Sequence, residues 1–104
     1  MSKKQILEEF TNTLAVALRH KIGSMVNPNA IYAERYAKDS EMFFKQAEKT
    51  KEQCNWDYYD KIKIKQELKR KLRNELEKKE FLPDEKYNYI DNEINKALTS
   101  LGLV

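Results

Sequence analysis

The sequence predicts an all-α protein, a small bundle of about four helices. Three observations carry that expectation. Apolar residues recur at helical spacing through most of the chain, and glycine and proline are scarce at two each. All four of those residues also fall between the periodic stretches rather than inside them, so local signals of different kinds agree. A β sandwich or barrel needs many more turn residues than this.

The first helix is predicted over residues 3–22. Ser2 followed by Gln5 is a capping-box pattern, in which each side chain accepts a hydrogen bond from the other residue's otherwise unpaired backbone N–H. Ile6, Leu7, Phe10, Leu14, Ala17, Leu18 and Ile22 share an arc of about 160° on a helical wheel, with Glu8, Asn12, Arg19 and His20 outside it. Gly23 stands where a left-handed C-cap belongs.

The second helix is predicted over 28–53. Asn27 is a candidate cap and Pro28 suits the first helical position, where its missing N–H costs nothing. Tyr32, Ala33, Tyr36, Ala37, Phe43, Phe44, Ala47 and Cys54 lie within an arc of about 140°. The small residues Ala33, Ala37, Ser40 and Ala47 would let another helix approach closely. Ile31 and Met42 point away from this arc and form a candidate contact patch for a partner protein.

The third helix is predicted over 56–80, with Asp57 and Asp60 near its positive N-terminal end. Ile64, Leu68, Leu72 and Leu76 repeat every fourth residue, and Tyr58 and Ile62 widen the stripe. Lys61 and Lys65 fall inside it, their stems able to lie over the core edge while the ammonium groups reach water. Nothing forbids helices two and three from joining into one rod through Cys54-Asn55-Trp56, although a break there is the preferred reading. Pro83 disfavours helical geometry at Leu82 and so ends this segment. The fourth helix, over 84–101, opens on Asp84-Glu85. It holds Tyr87, Ile90, Ile94, Ala97, Leu98 and Leu101 on a face of about 100° and stops at Gly102.

The chain of 104 residues suits one domain over 1–104. Its longest apolar run, Leu14 to Leu18, is far short of the roughly 20 residues that span a bilayer, so membrane insertion is not expected. Met1-Ser2-Lys3-Lys4 is not followed by the apolar segment of a secretory signal. Cys54 is the only cysteine, which excludes an internal disulfide and suits a reducing compartment. The expectation is a soluble, cytoplasmic protein.

Catalytic signals are sparse. His20 is the only histidine, and the residue three before it is Ala17, so the Glu-x-x-His pairs of a helical di-iron site are missing. One cysteine and one histidine do not furnish a zinc site. Cys54 and His20 would need tertiary proximity to act as a nucleophile pair, and the plainer reading is a buried cysteine and a solvated histidine. No glycine-rich phosphate loop exists. No enzyme, metal, cofactor or small-molecule substrate is therefore expected.

The basic segment is the informative one. Residues 61–79 carry nine lysines and arginines against three glutamates, a net of +6, while the rest of the chain carries −3. Such a helix can neutralise phosphates, with Lys63, Arg70, Lys71 and Arg73 as candidate contacts. Trp56 and Tyr59, beside Tyr58, are candidate platforms for an unpaired base. Against this, the positive charges run all round the wheel. Glu67–Lys71 and Glu75–Lys79 are also spaced as ordinary i,i+4 pairs of an exposed helix. The favoured expectation is a non-enzymatic protein-interaction module (an adaptor, regulator or assembly subunit) that binds another protein or a second copy of itself. The alternative is nucleic-acid binding through the third helix.

Overall fold

The computed structural model describes residues 1–104, and every element in it is helical. Helix α1 spans Lys3–Val26, α2 Ala33–Lys51 and α3 Tyr58–Glu77; a 3₁₀ segment, Asp84–Tyr89, leads directly into α4, Ile90–Ser100. The molecule measures 40 × 21 × 21 Å, its long axis close to the length of about 36 Å that α1 alone would have. α1 is the central element and packs on α2, α3, α4 and the 3₁₀ segment, whereas α2 packs on neither α3 nor α4. No helix is long and apolar enough to cross a membrane.

The core is built from the predicted stripes. Phe10, Leu14 and Ile22 of α1, Ile64, Leu68, Leu72 and Leu76 of α3, and Ile90, Ile94 and Leu98 of α4 are almost wholly excluded from solvent. The α1 stripe forms where the Ser2–Gln5 capping box starts it: Gln5 N donates to Ser2 Oγ at 3.2 Å and Ser2 N to Gln5 Oε1 at 2.9 Å. At the other end of the chain, Gly102 takes φ +73°. Leu103 N then donates to Leu98 O and Gly102 N to Thr99 O, which closes α4 in a Schellman motif.

Helices two and three are separate. α2 ends at Lys51, where Trp56 Nε1 donates to the Lys51 carbonyl at 2.9 Å. Asp57 is extended and exchanges hydrogen bonds with Asp60 (Asp60 N to Asp57 Oδ1 at 2.8 Å, Asp57 N to Asp60 Oδ2 at 3.0 Å), a second capping box that starts α3 afresh. The break is thus written into Trp56 and the two aspartates. Cys54 lies in this connection, half-buried and beyond the end of α2, rather than on its buried face.

Other boundaries move for tertiary reasons. Gly23 does not stop α1. It keeps ordinary helical backbone, and the helix runs on to Val26, which is itself buried. What Gly23 supplies is room, because a Cβ built there would stand 2.7 Å from Cδ2 of Tyr36. Asn27 consequently becomes the C-cap residue of α1, and 27–32 form turns that carry the chain into α2 at Ala33, so Pro28 precedes that helix instead of opening it. The segment after Pro83 begins as a tight 3₁₀ turn because Lys86 is drawn inward, its Nζ donating to the Lys79 carbonyl at 2.8 Å.

His20 is buried, not solvated. α2 packs along α1 and sets Tyr36 and Phe43 against His20, so α1 is enclosed over more than its apolar arc. On α2 itself only the small residues Ala33, Ser40, Ala47 and Thr50 are fully buried, and Ala37 is exposed. Ser40 Oγ donates across to the Ala17 carbonyl at 2.8 Å, a direct mark of the close helix approach.

Candidate functional site

The residues that the sequence singles out for recognition do not share one surface. Trp56 turns inward, its ring 6.1 Å from Phe10 and half-buried against the core, with Lys3 Nζ 5.7 Å above it. Lys71 is buried: its ammonium donates to Thr11 Oγ1 at 2.6 Å and to the Glu8 carbonyl at 3.3 Å, and lies 3.3 Å from Glu8 Oε1. Arg70 donates through Nη2 to Glu67 Oε2 at 2.7 Å. Arg73 is exposed, its guanidinium 5.5 Å over the ring of Tyr87. Ile31 is fully exposed and Met42 about half so, on separate elements.

Much of the basic excess is therefore used within the fold. Lys69 pairs with Asp91 at 3.1 Å and Lys78 with Glu75 at 3.3 Å. Lys51 donates to the Leu101 carbonyl and Lys86 to the Lys79 carbonyl, each placing a cation at the negative C-terminal end of a neighbouring helix. The pairs Glu67–Lys71 and Glu75–Lys79 do not form. Thr11 and Glu8 draw Lys71 into the bundle, and the two glutamates take Arg70 and Lys78 one position earlier. The Arg70 guanidinium, hydrogen-bonded to Glu67, holds that carboxyl below its ordinary range. The hydrogen bond from Lys3 does the same to Asp60.

What stays open is the outer side of the first turns of α3. Tyr58 is 71% exposed, Tyr59 79% and Ile62 40%. The sequence pattern assigns Tyr58 and Ile62 to the buried stripe. They project outward because α1 and α4 cover only the Ile64–Leu76 row, and α2 does not reach α3. The two tyrosine rings meet edge-on with centroids 5.7 Å apart. Ile62 follows Tyr58 by one helical turn, so the three side chains form one surface group. Lys63, one turn after Tyr59, and Lys65, three residues after Ile62, are exposed and make no ion pair.

His20 and Cys54 stand in different surroundings. His20 sits between Tyr36 and Phe43, with ring centroids 5.1 and 5.3 Å away. Its Nδ1 donates to the Val16 carbonyl at 2.8 Å, which leaves Nε2 to accept from Arg19 at 3.3 Å. Burial pushes the His20 pKa below 6.5, and the Arg19 cation acts in the same direction against the Val16 hydrogen bond. No group of three His, Cys, Asp or Glu side chains is placed to hold a metal ion.

One residue with no sequence signal as a site is Glu93. Its wheel position falls about 40° beyond the edge of the apolar face of helix four, yet it is completely buried. Its neighbours along the helix surface, Ile90 and Ala97, are the only local hint.

Fold and surface together define a small all-α bundle that displays an aromatic and basic patch on its third helix. The chain matches no protein-family model, no curated protein and no solved structure.

Proposed function

We propose that the chain is a non-enzymatic protein-interaction module. Its docking surface is the outer side of α3 at Tyr58, Tyr59 and Ile62, and its partner presents an acidic segment with apolar side chains. The observation that carries this is the grouping of three large exposed apolar side chains beside two unpaired lysines. Grouped apolar exposure is costly unless covered, and tyrosine is a favoured anchor in interfaces. The charge argues for a different chain as partner, because a two-fold contact of this patch with its own copy would bring Lys63 and Lys65 against like charges.

The test uses peptides rich in Asp, Glu, Leu and Phe, scored by fluorescence anisotropy against composition-matched peptides with Lys in place of the acids. Wild type is expected to bind the acidic set. Tyr59→Ser with Ile62→Ser, and separately Lys63→Glu with Lys65→Glu, should each weaken it by at least about tenfold. These exposed sites should change unfolding stability by no more than about 0.5 kcal/mol per substitution. Equal binding by wild type and both variants refutes the proposal.

The exposed tyrosine pair also favours a second reading, binding of single-stranded nucleic acid by stacking. It retains Tyr59, Lys63 and Arg73 of the sequence candidates but loses Trp56 and Lys71 to the core. An oligonucleotide bound at low salt, released as salt rises and displaced by no acidic peptide, would move the site to this class.

A further inference from the structure

The buried charge beside the cleft of about 440 Å³ between α2 and α4 is answered within the fold, since Glu93 pairs with Lys21 at 2.6 Å and Lys96 at 3.6 Å. The charges at the two ends of α3 are not answered in this way. At its start stand Tyr58, Tyr59 and Ile62 with the unpaired Lys63 and Lys65. Beyond its end the chain reads Glu80-Phe81-Leu82-Pro83-Asp84-Glu85, with three carboxylates and no cation. Glu80, Asp84 and Glu85 are exposed and make no ion pair, and Phe81 is 58% exposed. Of the flanking lysines, Lys79 is half-buried and Lys86 is turned inward, its ammonium on the Lys79 carbonyl.

The 80–85 segment is held in shape from inside. Leu82 is buried, Leu82 N donates to the Lys79 carbonyl at 3.0 Å, and Lys86 N donates to the Pro83 carbonyl at 3.0 Å. The Phe81 ring stands edge-on to Tyr32 with centroids 5.5 Å apart. A preformed segment loses little conformational freedom on binding. Its make-up, acidic charge around a large apolar side chain, is what the α3 surface asks of a partner. One copy cannot join the two, because the rod of α3 holds them about 25 Å apart. A second copy can. Lys63 and Lys65 oppose a contact of patch with patch, but the same lysines attract Glu80, Asp84 and Glu85.

We infer that the chain associates with itself through two different surfaces. The Tyr58, Tyr59 and Ile62 patch of one copy receives Phe81 of another, with Lys63 and Lys65 facing the carboxylates of its 80–85 segment. This rests on the reading of the α3 surface as a docking site for acidic, apolar segments, and it names such a segment. A contact between unlike surfaces leaves one of each free on a pair of copies, so further copies can add.

Analytical ultracentrifugation of the full chain tests it. The average mass of wild type is expected to rise with concentration, with a Kd of about 100 µM, the scale of a small transient contact. It should fall back toward the monomer as salt rises. Tyr59→Ser with Ile62→Ser removes one surface, and Glu80→Lys with Glu85→Lys the other. Each variant should self-associate at least about tenfold more weakly. All four positions are exposed, so both variants should fold. Mixed in equal amounts, the two variants retain one complementary pair of surfaces and should form a dimer that grows no further. The inference is overturned by a wild type that stays monomeric up to about 1 mM. It is equally overturned by a variant that associates like wild type, or by a mixture that stays monomeric. A monomeric wild type that still binds acidic peptides removes the self-contact alone, whereas one that binds none removes the reading of the α3 surface with it.

Discussion

Gly23→Ala sets helix propensity against packing, and the structure fixes which wins. Gly23 lies one turn before the end of α1 with ordinary helical backbone. On propensity alone the added methyl should stabilise by about 0.5–1 kcal/mol. The new Cβ, however, would stand 2.7 and 2.9 Å from Cδ2 and Cε2 of Tyr36, and 3.6 Å from Leu82 Cδ1. The Tyr36 ring is hemmed in on two sides, by Tyr32 at 4.8 Å and His20 at 5.1 Å, centroid to centroid. Forced overpacking of this kind costs about 1–3 kcal/mol. The net expectation is a loss of about 1–2 kcal/mol, seen as a melting temperature lower by roughly 5–15 °C for a chain of this size. Urea unfolding followed by circular dichroism measures it, with Tyr36→Ala as the second arm of a double-mutant cycle. Without the ring, Gly23→Ala should turn stabilising by about 0.5–1 kcal/mol. A left-handed glycine would instead make the substitution unfavourable in both backgrounds. That result, or a stabilised single variant, would refute the close approach of α1 and α2.

Three further outcomes follow from the buried polar groups and caps. His20 has its folded pKa below 6.5, so the unfolded chain takes up the proton first. Its contribution is complete above that pH and is lost as pH falls through the folded value. Urea midpoints measured between about pH 7.5 and pH 5 should decline, and His20→Leu should flatten the decline; an unchanged slope would exclude His20 as its source. Asp60 and Glu67, both held below their ordinary values of 3.8 and 4.5, act only in more acidic solution, where their contributions disappear. For Lys71, the Met variant keeps the buried stem and removes the cost of a desolvated ammonium, so it should fall within about 1 kcal/mol of wild type. Lys71→Ala should lose about 2–3 kcal/mol, and equal effects would show that the stem contributes nothing. Asp57→Ala removes one half of the α3 capping box and should cost about 1 kcal/mol, with faster amide exchange at Asp60; full protection of that amide would contradict the cap.

The stripes on α1, α3 and α4 were legible because periodicity and capping act within a few residues. Leu68, Leu72 and Leu76 are buried for the same reason that they were recognisable: with Ile64 they repeat every fourth residue as one apolar row. The Ser2–Gln5 box and the Gly102 stop are likewise local chemistry. α2 was less legible, since its buried face consists of small residues whose role is the distance they allow.

The sequence by itself determined that this chain is helical, with about four helices, and that the Ile64–Leu76 row and the stripes of α1 and α4 face inward. Only the tertiary structure decided what the polar and boundary residues do. Gly23 became a point of close approach, Lys71 and Glu93 went inside, and Tyr58 and Ile62 were left outside. The physical reason is that helix formation depends on neighbours three and four positions away. Burial of a lysine, exposure of a tyrosine or the opening of a cleft depends instead on where a second helix ends. α4 is only 11 residues long and does not pack on α2, and no spacing within either helix encodes the gap between them.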